Sequence, residues 1–222
     1  DVIEAEKLYK SYRNKVVLDI PSIKINQSQI VSICGPSGAG KTTLLNILGT
    51  LMKTDNSNEA SLKIMNKDIY KMSEDKLAKF RNNHLGFIFQ FHELLDEFNV
   101  IENIIIPGLI ANKEKNELIK RAIEILKILN IFDLRSSNPK SISGGEKQRI
   151  AVARSLINNP SIIFADEPSG NLDEKNADEL HKLFFKLRDE FGQTFVIVTH
   201  NEKLSRISDK TLKLVDGKIQ TK

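Results

Sequence analysis

Lys41 and Thr42 follow a glycine-rich turn, Gly35-Pro36-Ser37-Gly38-Ala39-Gly40, that leaves the apolar run Ile30 to Cys34 and leads, past Thr43, into the helical Leu44 to Leu48. Gly35 and Gly40 bracket four residues, which is the G-x-x-x-x-G-K-[ST] spacing in a strand–turn–helix setting. The chemistry this implies is phosphate binding. Glycines let successive backbone N–H groups curl around an oxyanion. A helix opening near Lys41 adds unpaired N–H groups and a positive dipole end. Lys41 supplies a point charge to the β- and γ-phosphates, and the Thr42 hydroxyl is a ligand for Mg²⁺. The bland alternative, a turn that merely joins strand to helix, does not require every one of these residue types. A nucleoside triphosphate site is expected.

Two carboxylates end another apolar run, Ser161-Ile162-Ile163-Phe164-Ala165-Asp166-Glu167. Four consecutive apolar residues read as a strand buried on both faces, as in a parallel sheet. The C-terminal end of such a strand is where ligands of open α/β sheets bind. Asp166 can hold Mg²⁺, and Glu167 can polarise an attacking water. Thr194 to Thr199 repeats the buried-strand pattern and delivers His200 to the same edge, within reach of a γ-phosphate or water. Ile142-Ser143-Gly144-Gly145-Glu146-Lys147-Gln148-Arg149 opens a helix expected to run to Ile157. Ser143 and Glu146 make a capping box. Two glycines in a first turn cost helix stability, so their use is close approach of the backbone to an anion.

The elements that must position these groups are legible in outline. Val2 to Tyr9, Val16 to Leu18 and Ile23 to Ile25 read as short antiparallel strands. Tyr12 between the first two either caps a hairpin or offers a flat face to an adenine ring. Leu62 to Met65 and Leu85 to Phe89 are further strands, the latter ending at Gln90. From Phe91 to about Ser141 the pattern turns helical, with Glu117 to Leu129 amphipathic. Cys34 is expected to be a small packed hydrophobe.

The 222 residues suit one α/β domain with a small subdomain, and 40% hydrophobic with 28% charged residues is ordinary for a globular chain. A net charge of +4 without like-charge runs does not imply nucleic acid as a partner. One cysteine excludes an internal disulfide framework and suits a reducing compartment. No stretch approaches the ~18 apolar residues of a membrane span. The longest, Ile104 to Ile110, is expected to be broken at Pro107-Gly108. The chain opens without a signal-like segment and without Met, so a few leading residues are expected to be missing.

In this order and spacing the motifs resemble the nucleotide-binding domain of ATP-binding cassette (ABC) transporters, over the whole chain. ISGGEKQR between the phosphate loop and IIFADE separates this family from other phosphate-loop ATPases, although Ile142 and Glu146 stand where Leu and Gln are usual. The resemblance implies a RecA-like α/β core with an antiparallel β subdomain (1–90 and 142–222) and an inserted helical subdomain (91–141). By motif, Gly35, Pro36, Ser37, Gly38, Ala39, Gly40, Lys41, Thr42 and Thr43 would bind ATP, with Tyr12 stacking on adenine. Thr42, Gln90 and Asp166 would hold Mg²⁺, with Lys41, Glu167 and His200 catalytic. Ser143, Gly144, Gly145, Glu146 and the D-loop Asp173 would complete the site in a head-to-tail homodimer.

A narrower resemblance rests on Gly86 to Leu95, on Glu97 to Asn103, and on ADEPSGNLD from Ala165 to Asp173. It points to the lipoprotein-releasing branch, which also holds macrolide-export and cell-division ATPases. That implies a peripheral subunit on the cytoplasmic face of the bacterial inner membrane, docked through residues near 91–110 to two integral membrane permease subunits. Phe91, Leu94, Leu95, Phe98, Val100, Ile101 and Ile104 to Ile106 are the apolar residues of this stretch; some are expected to pack the helical subdomain, and the rest, rimmed by Glu93, Asp96, Glu97 and Glu102, to form the docking face. A soluble ABC ATPase acting on DNA or ribosomes is less favoured, because the chain has no coiled-coil insert or second cassette.

Overall fold

The computed structural model describes residues 1–13 and 15–220. The chain runs β1 (Ile3–Tyr12), β2 (Lys15–Ile25), β3 (Ile30–Cys34), α1 (Lys41–Leu48), β4 (Ser61–Ile64), β5 (Lys67–Asp68), α2 (Glu74–His84) and β6 (Leu85–Ile88). It continues through α3 (Val100–Ile110), α4 (Lys115–Ile128), α5 (Gly144–Leu156), β7 (Ile162–Asp166) and α6 (Glu174–Phe191). The last elements are β8 (Thr194–Val198), α7 (Glu202–Ile207), β9 (Lys210–Val215) and β10 (Lys218–Gln220). Two sheets form, an antiparallel one in the order β2-β1-β4-β5 and a six-stranded one in the order β10-β9-β3-β8-β7-β6. In the larger sheet β9, β3, β8, β7 and β6 are parallel, with only β10 reversed.

Strands β3, β6, β7 and β8 are buried on both faces, which is why they read as apolar runs, whereas β9 alternates buried and exposed residues. Alternate residues feed two cores. Ile162, Phe164, Val196 and Val198 face α1, α2 and the antiparallel sheet. Ile163, Ala165, Phe195 and Ile197 face α3, α4, α5 and α6. The middle strands of the larger sheet are thus fixed from above and below.

Three expectations change. The two short strands read over 16–25 are one, β2, which passes through Pro21. An edge strand tolerates a residue with no N–H to donate. Helix α3 is not broken at Pro107-Gly108 but continues to Ile110. Pro107 removes one bond near the helix end, and its carbonyl is held by Asn82 and Asn158 at 3.1 and 3.0 Å. Gly108 lets α4 come close, since a Cβ there would lie 2.2 Å from Leu118 Cδ2. Finally, α2 had no counterpart in the sequence reading, because only Leu77 and Phe80 of its eleven residues are buried.

Candidate functional site

Four neighbouring parallel strands, β3, β8, β7 and β6, end at one edge of the sheet. β3 delivers the glycine turn and Lys41, β8 delivers His200, β7 delivers Asp166 and Glu167, and β6 delivers Gln90. This is the edge at which open parallel sheets bind ligands. The turn wraps back on the molecule where it must. Gly35 and Gly40 are left-handed (φ +150° and +97°), and a Cβ on either would strike the carbonyl of Leu214 or of Val17. Gly38 is also left-handed (φ +76°), yet open space surrounds its Cβ position. Two glycines therefore serve the fold, while the third faces open space.

Helix α1 begins at Gly40 with no side chain capping it, whereas α3, α4, α5, α6 and α7 are each capped by their own side chains. Its first N–H groups are thus free for a ligand. Lys41 is only 7% exposed and rests on the carbonyls of Gly35 and Pro36 at 3.0 and 2.9 Å. Among the described residues no carboxylate pairs with it. A buried cation held only by two carbonyls is a site for an anion.

Thr42 donates from Oγ1 to Asp166 Oδ1 at 3.3 Å, joining the phosphate turn to β7. Burial raises the Asp166 carboxyl above its ordinary range, against the Thr42 hydrogen bond and the nearby Lys41 charge. Glu167 sits in a left-handed turn (φ +46°), a strained conformation for a residue with a Cβ. The turn brings its Oε2 to the His200 N–H at 3.3 Å. Its Oε1 lies 3.0 Å from His200 Nε2, near enough for ion pairing. That oxygen is nevertheless buried and aligned for a hydrogen bond with no neighbour. Burial also raises the Glu167 carboxyl, which His200 and Lys41 oppose and Asp166 reinforces.

The described residues hold no cluster of three or more His, Cys, Asp or Glu. Thr42 and Asp166 offer two hard oxygens side by side, and Mg²⁺ typically takes only one or two carboxylates together with substrate phosphates and waters. The set fits.

Gln90, at the same edge, is tied to Asn171 of the turn after β7. The other expected residues fall in separate places. Ser143 and Glu146 form the complete capping box, with Ser143 N donating to Glu146 Oε2 at 3.0 Å and Glu146 N to Ser143 Oγ at 3.4 Å. Gly144 and Gly145 follow in the first turn of α5, with Asn176 packed so closely on Gly145 that a Cβ there would lie 2.7 Å from its Oδ1. Asp173 caps α6 by accepting from Asn176 N at 2.9 Å. No hydrogen bond or ion pair among the described residues joins 143–146 to the phosphate turn. Tyr12 stands 45% exposed at the end of β1, its hydroxyl donating to Met52 Sδ at 3.1 Å and the Lys10 ammonium 5.6 Å from its ring centre. Cys34 is half-buried and lines a polar cleft beside the phosphate turn, so it is less enclosed than expected.

Sequence reasoning missed the ties behind the site. Arg154 of α5 donates to the carbonyls of His92 and Glu93 at 2.8 and 2.6 Å, and Gln148 to that of Phe89 at 3.3 Å. Asn103, fully buried in α3, pins the turn before it by bonds to Leu95 and Phe98. For Arg154 and Asn103 the only sequence signal was a polar residue inside an apolar stretch, and Gln148, between Lys147 and Arg149, gave none. Beyond these ties Phe91 stays 67% exposed, with Leu95 and Phe98 also at the surface. Val100, Ile104 and Ile105 are core. No helix among the described residues is long and apolar enough to cross a membrane.

The chain was then compared with known proteins. The profile of the family described as "ABC transporter" matches residues 18–170. A lipoprotein-releasing system ATP-binding protein LolD from Bacteroides fragilis (strain YCH46) is 51% identical over 98% of this chain and 100% of its own. A protein of the same name from Porphyromonas gingivalis (strain ATCC BAA-308 / W83) is 53% identical over 97% of each. Among solved structures, a dimeric post-hydrolysis state of the ATP-binding cassette MJ0796, bound to ADP and Pi, superposes with a TM-score of 0.87. It is 34% identical, with 99% of this chain and 97% of that one covered. Strand order, phosphate turn and whole-length likeness agree, and the chain belongs to the ABC transporter family as one of its ATP-binding cassettes.

Proposed function

We infer that this cassette hydrolyses ATP to drive the release of lipoproteins from the inner membrane towards the outer membrane. It would act as the translocase motor for integral membrane permease subunits of the LolC and LolE kind. The observation that carries the hydrolytic reading is electrostatic. A buried Lys41 cation without a carboxylate partner heads an uncapped helix, near the Glu167 carboxylate that burial makes more basic. One demands an anion and the other is suited to accept a proton. The γ-phosphate and an attacking water supply them. The lipoprotein reading rests on the near-complete likeness to proteins of that name.

In this reading residues 35–43 cradle the phosphates and Lys41 neutralises charge on the γ-phosphoryl oxygens. Glu167 accepts the proton of the attacking water, and His200 holds the phosphate or that water. Tyr12 stacks on the adenine. Thr42, Asp166 and Gln90 are the groups that would hold Mg²⁺, which supplies further charge neutralisation when bound. Ser143 to Glu146 and Asp173 serve the nucleotide of a second copy in a C₂ pair. The exposed Phe91, Leu95 and Phe98 receive the permease near 91–110, placing the subunit on the cytoplasmic face of the inner membrane.

The test is reconstitution with the co-purified membrane subunits in vesicles carrying an acylated lipoprotein. ATP is expected to move the lipoprotein into the soluble fraction, and Glu167→Gln to abolish the transfer. Robust ATP turnover without any lipoprotein release would refute the cargo assignment and leave the ATPase reading standing.

A further inference from the structure

Asn171 has no role in the site as described, yet both ends of its side-chain amide bond to one residue. Its Nδ2 donates to the main-chain carbonyl of Gln90 at 3.4 Å, and its Oδ1 accepts from Gln90 Nε2 at 3.3 Å. The two lie 81 residues apart and meet because β6 and β7 are neighbours.

Donor and acceptor chemistry fixes the orientation of both amides. A main-chain carbonyl only accepts, so the NH₂ end of Asn171 must face it. That leaves the Asn171 oxygen towards the Gln90 side chain, and an oxygen of this kind also only accepts. Gln90 must therefore present its NH₂ to Asn171, which leaves Gln90 Oε1 as the free end. Gly170 closes the niche, since a Cβ there would lie 3.2 Å from Gln90 Nε2. A Cβ there would crowd the amide by a few tenths of an ångström.

We propose that Asn171 is a positioning residue for the metal, holding the Gln90 amide so that its oxygen, and not its nitrogen, is offered to Mg²⁺. The proposal rests on the reading of Gln90 as a metal-holding group. A side-chain amide without such a partner rotates freely, and its NH₂ end cannot ligate a cation. Partners that orient metal ligands from behind are a general device. Here both bonds are at the long end of the hydrogen-bond range, so the effect is expected at the scale of one ordinary bond. Because Asn171 sits on the turn leading to α6, any shift of that turn changes how Gln90 is presented.

The experiment titrates Mn²⁺ into the cassette loaded with the non-hydrolysable analogue AMP-PNP and reads the free aqua ion by electron paramagnetic resonance. Nucleotide affinity in EDTA is measured alongside as the control for folding. Asn171→Ala is expected to weaken Mn²⁺ binding about threefold to tenfold, the worth of one hydrogen bond. Affinity in EDTA should be unchanged. Asn171→Leu keeps the branching without the bonds and should behave alike; the position is exposed, so neither change threatens the core. On a Gln90→Ala background, Asn171→Ala should add no further loss. An additive loss in the double variant overturns the proposal, as does unaltered Mn²⁺ affinity in both Asn171 variants while Gln90→Ala weakens it. If Gln90→Ala itself leaves Mn²⁺ affinity unaltered, the metal role of Gln90 falls and this proposal with it.

Discussion

At the scale of single residues, Glu167 concentrates the cost and the use of the site. Its left-handed backbone and the burial of its carboxylate both work against the fold, with His200 Nε2 lying 3.0 Å from its Oε1. Such penalties persist where surrounding structure imposes them, here the strand end and the His200 N–H. Glu167→Gln is expected to retain ATP binding while turnover falls by roughly 10²–10⁴-fold, the usual worth of a general base. Phosphate release by protein purified away from other ATPases measures it. Burial also sets a pH dependence. A carboxyl raised by the fold stabilises the native state only while protonated, and that contribution is lost as pH rises through its folded value. At neutral pH the ionised side chain therefore weakens the fold. Glu167→Gln should melt higher than the parent at pH 7.5, and the gap should close as pH falls towards the ordinary carboxylate value of 4.5. The acid limb of kcat/KM should likewise lie above that value. Melting curves and rate profiles over the same pH series check both, and a Gln variant that melts lower at neutral pH contradicts the assignment.

At the scale of elements, α5 and α3 show what periodicity reveals and what it hides. The Ser143–Glu146 capping box was legible because it is local, and it is present as two reciprocal hydrogen bonds. The grip of the same helix on residues 89–93 was not legible. It depends on Arg154 and Gln148 reaching carbonyls about 60 residues away. Asn103 similarly fixes the turn carrying Leu95 and Phe98, satisfying its own buried amide while leaving those two apolar side chains outside. An exposed apolar surface held this rigidly suits a partner helix. Leu95→Glu or Phe98→Glu is expected to cut pull-down of the membrane subunits at least about tenfold, the loss of one anchoring contact. Stability should stay within about 0.5 kcal/mol, as for other surface changes. Pull-down and nucleotide affinity on the same preparations decide it, because loss of both would place these residues in the core.

At the scale of the whole molecule, no hydrogen bond or ion pair among the described residues joins the phosphate turn to the Ser143–Glu146 helix start within one copy, and in the proposed reading these are two half-sites. Two copies related head to tail would join them. Lys41→Ala and Ser143→Arg should each be inactive alone. Mixed in equal amounts they should regain part of the parental ATP hydrolysis, since a mixed pair keeps one intact composite site. No recovery above the single variants would count against the arrangement. What the sequence determined by itself is what local spacing can carry. The glycine-lysine turn, the acidic strand end, the capped helix and the doubly buried strands each follow from contiguous residues whose types have one economical use. What only the tertiary structure decided is adjacency. The order β3-β8-β7-β6 sets Thr42 against Asp166, Glu167 against His200, and Gln90 against Asn171. Strand order is fixed by packing two cores against both faces of one sheet, and no short window of sequence contains that information.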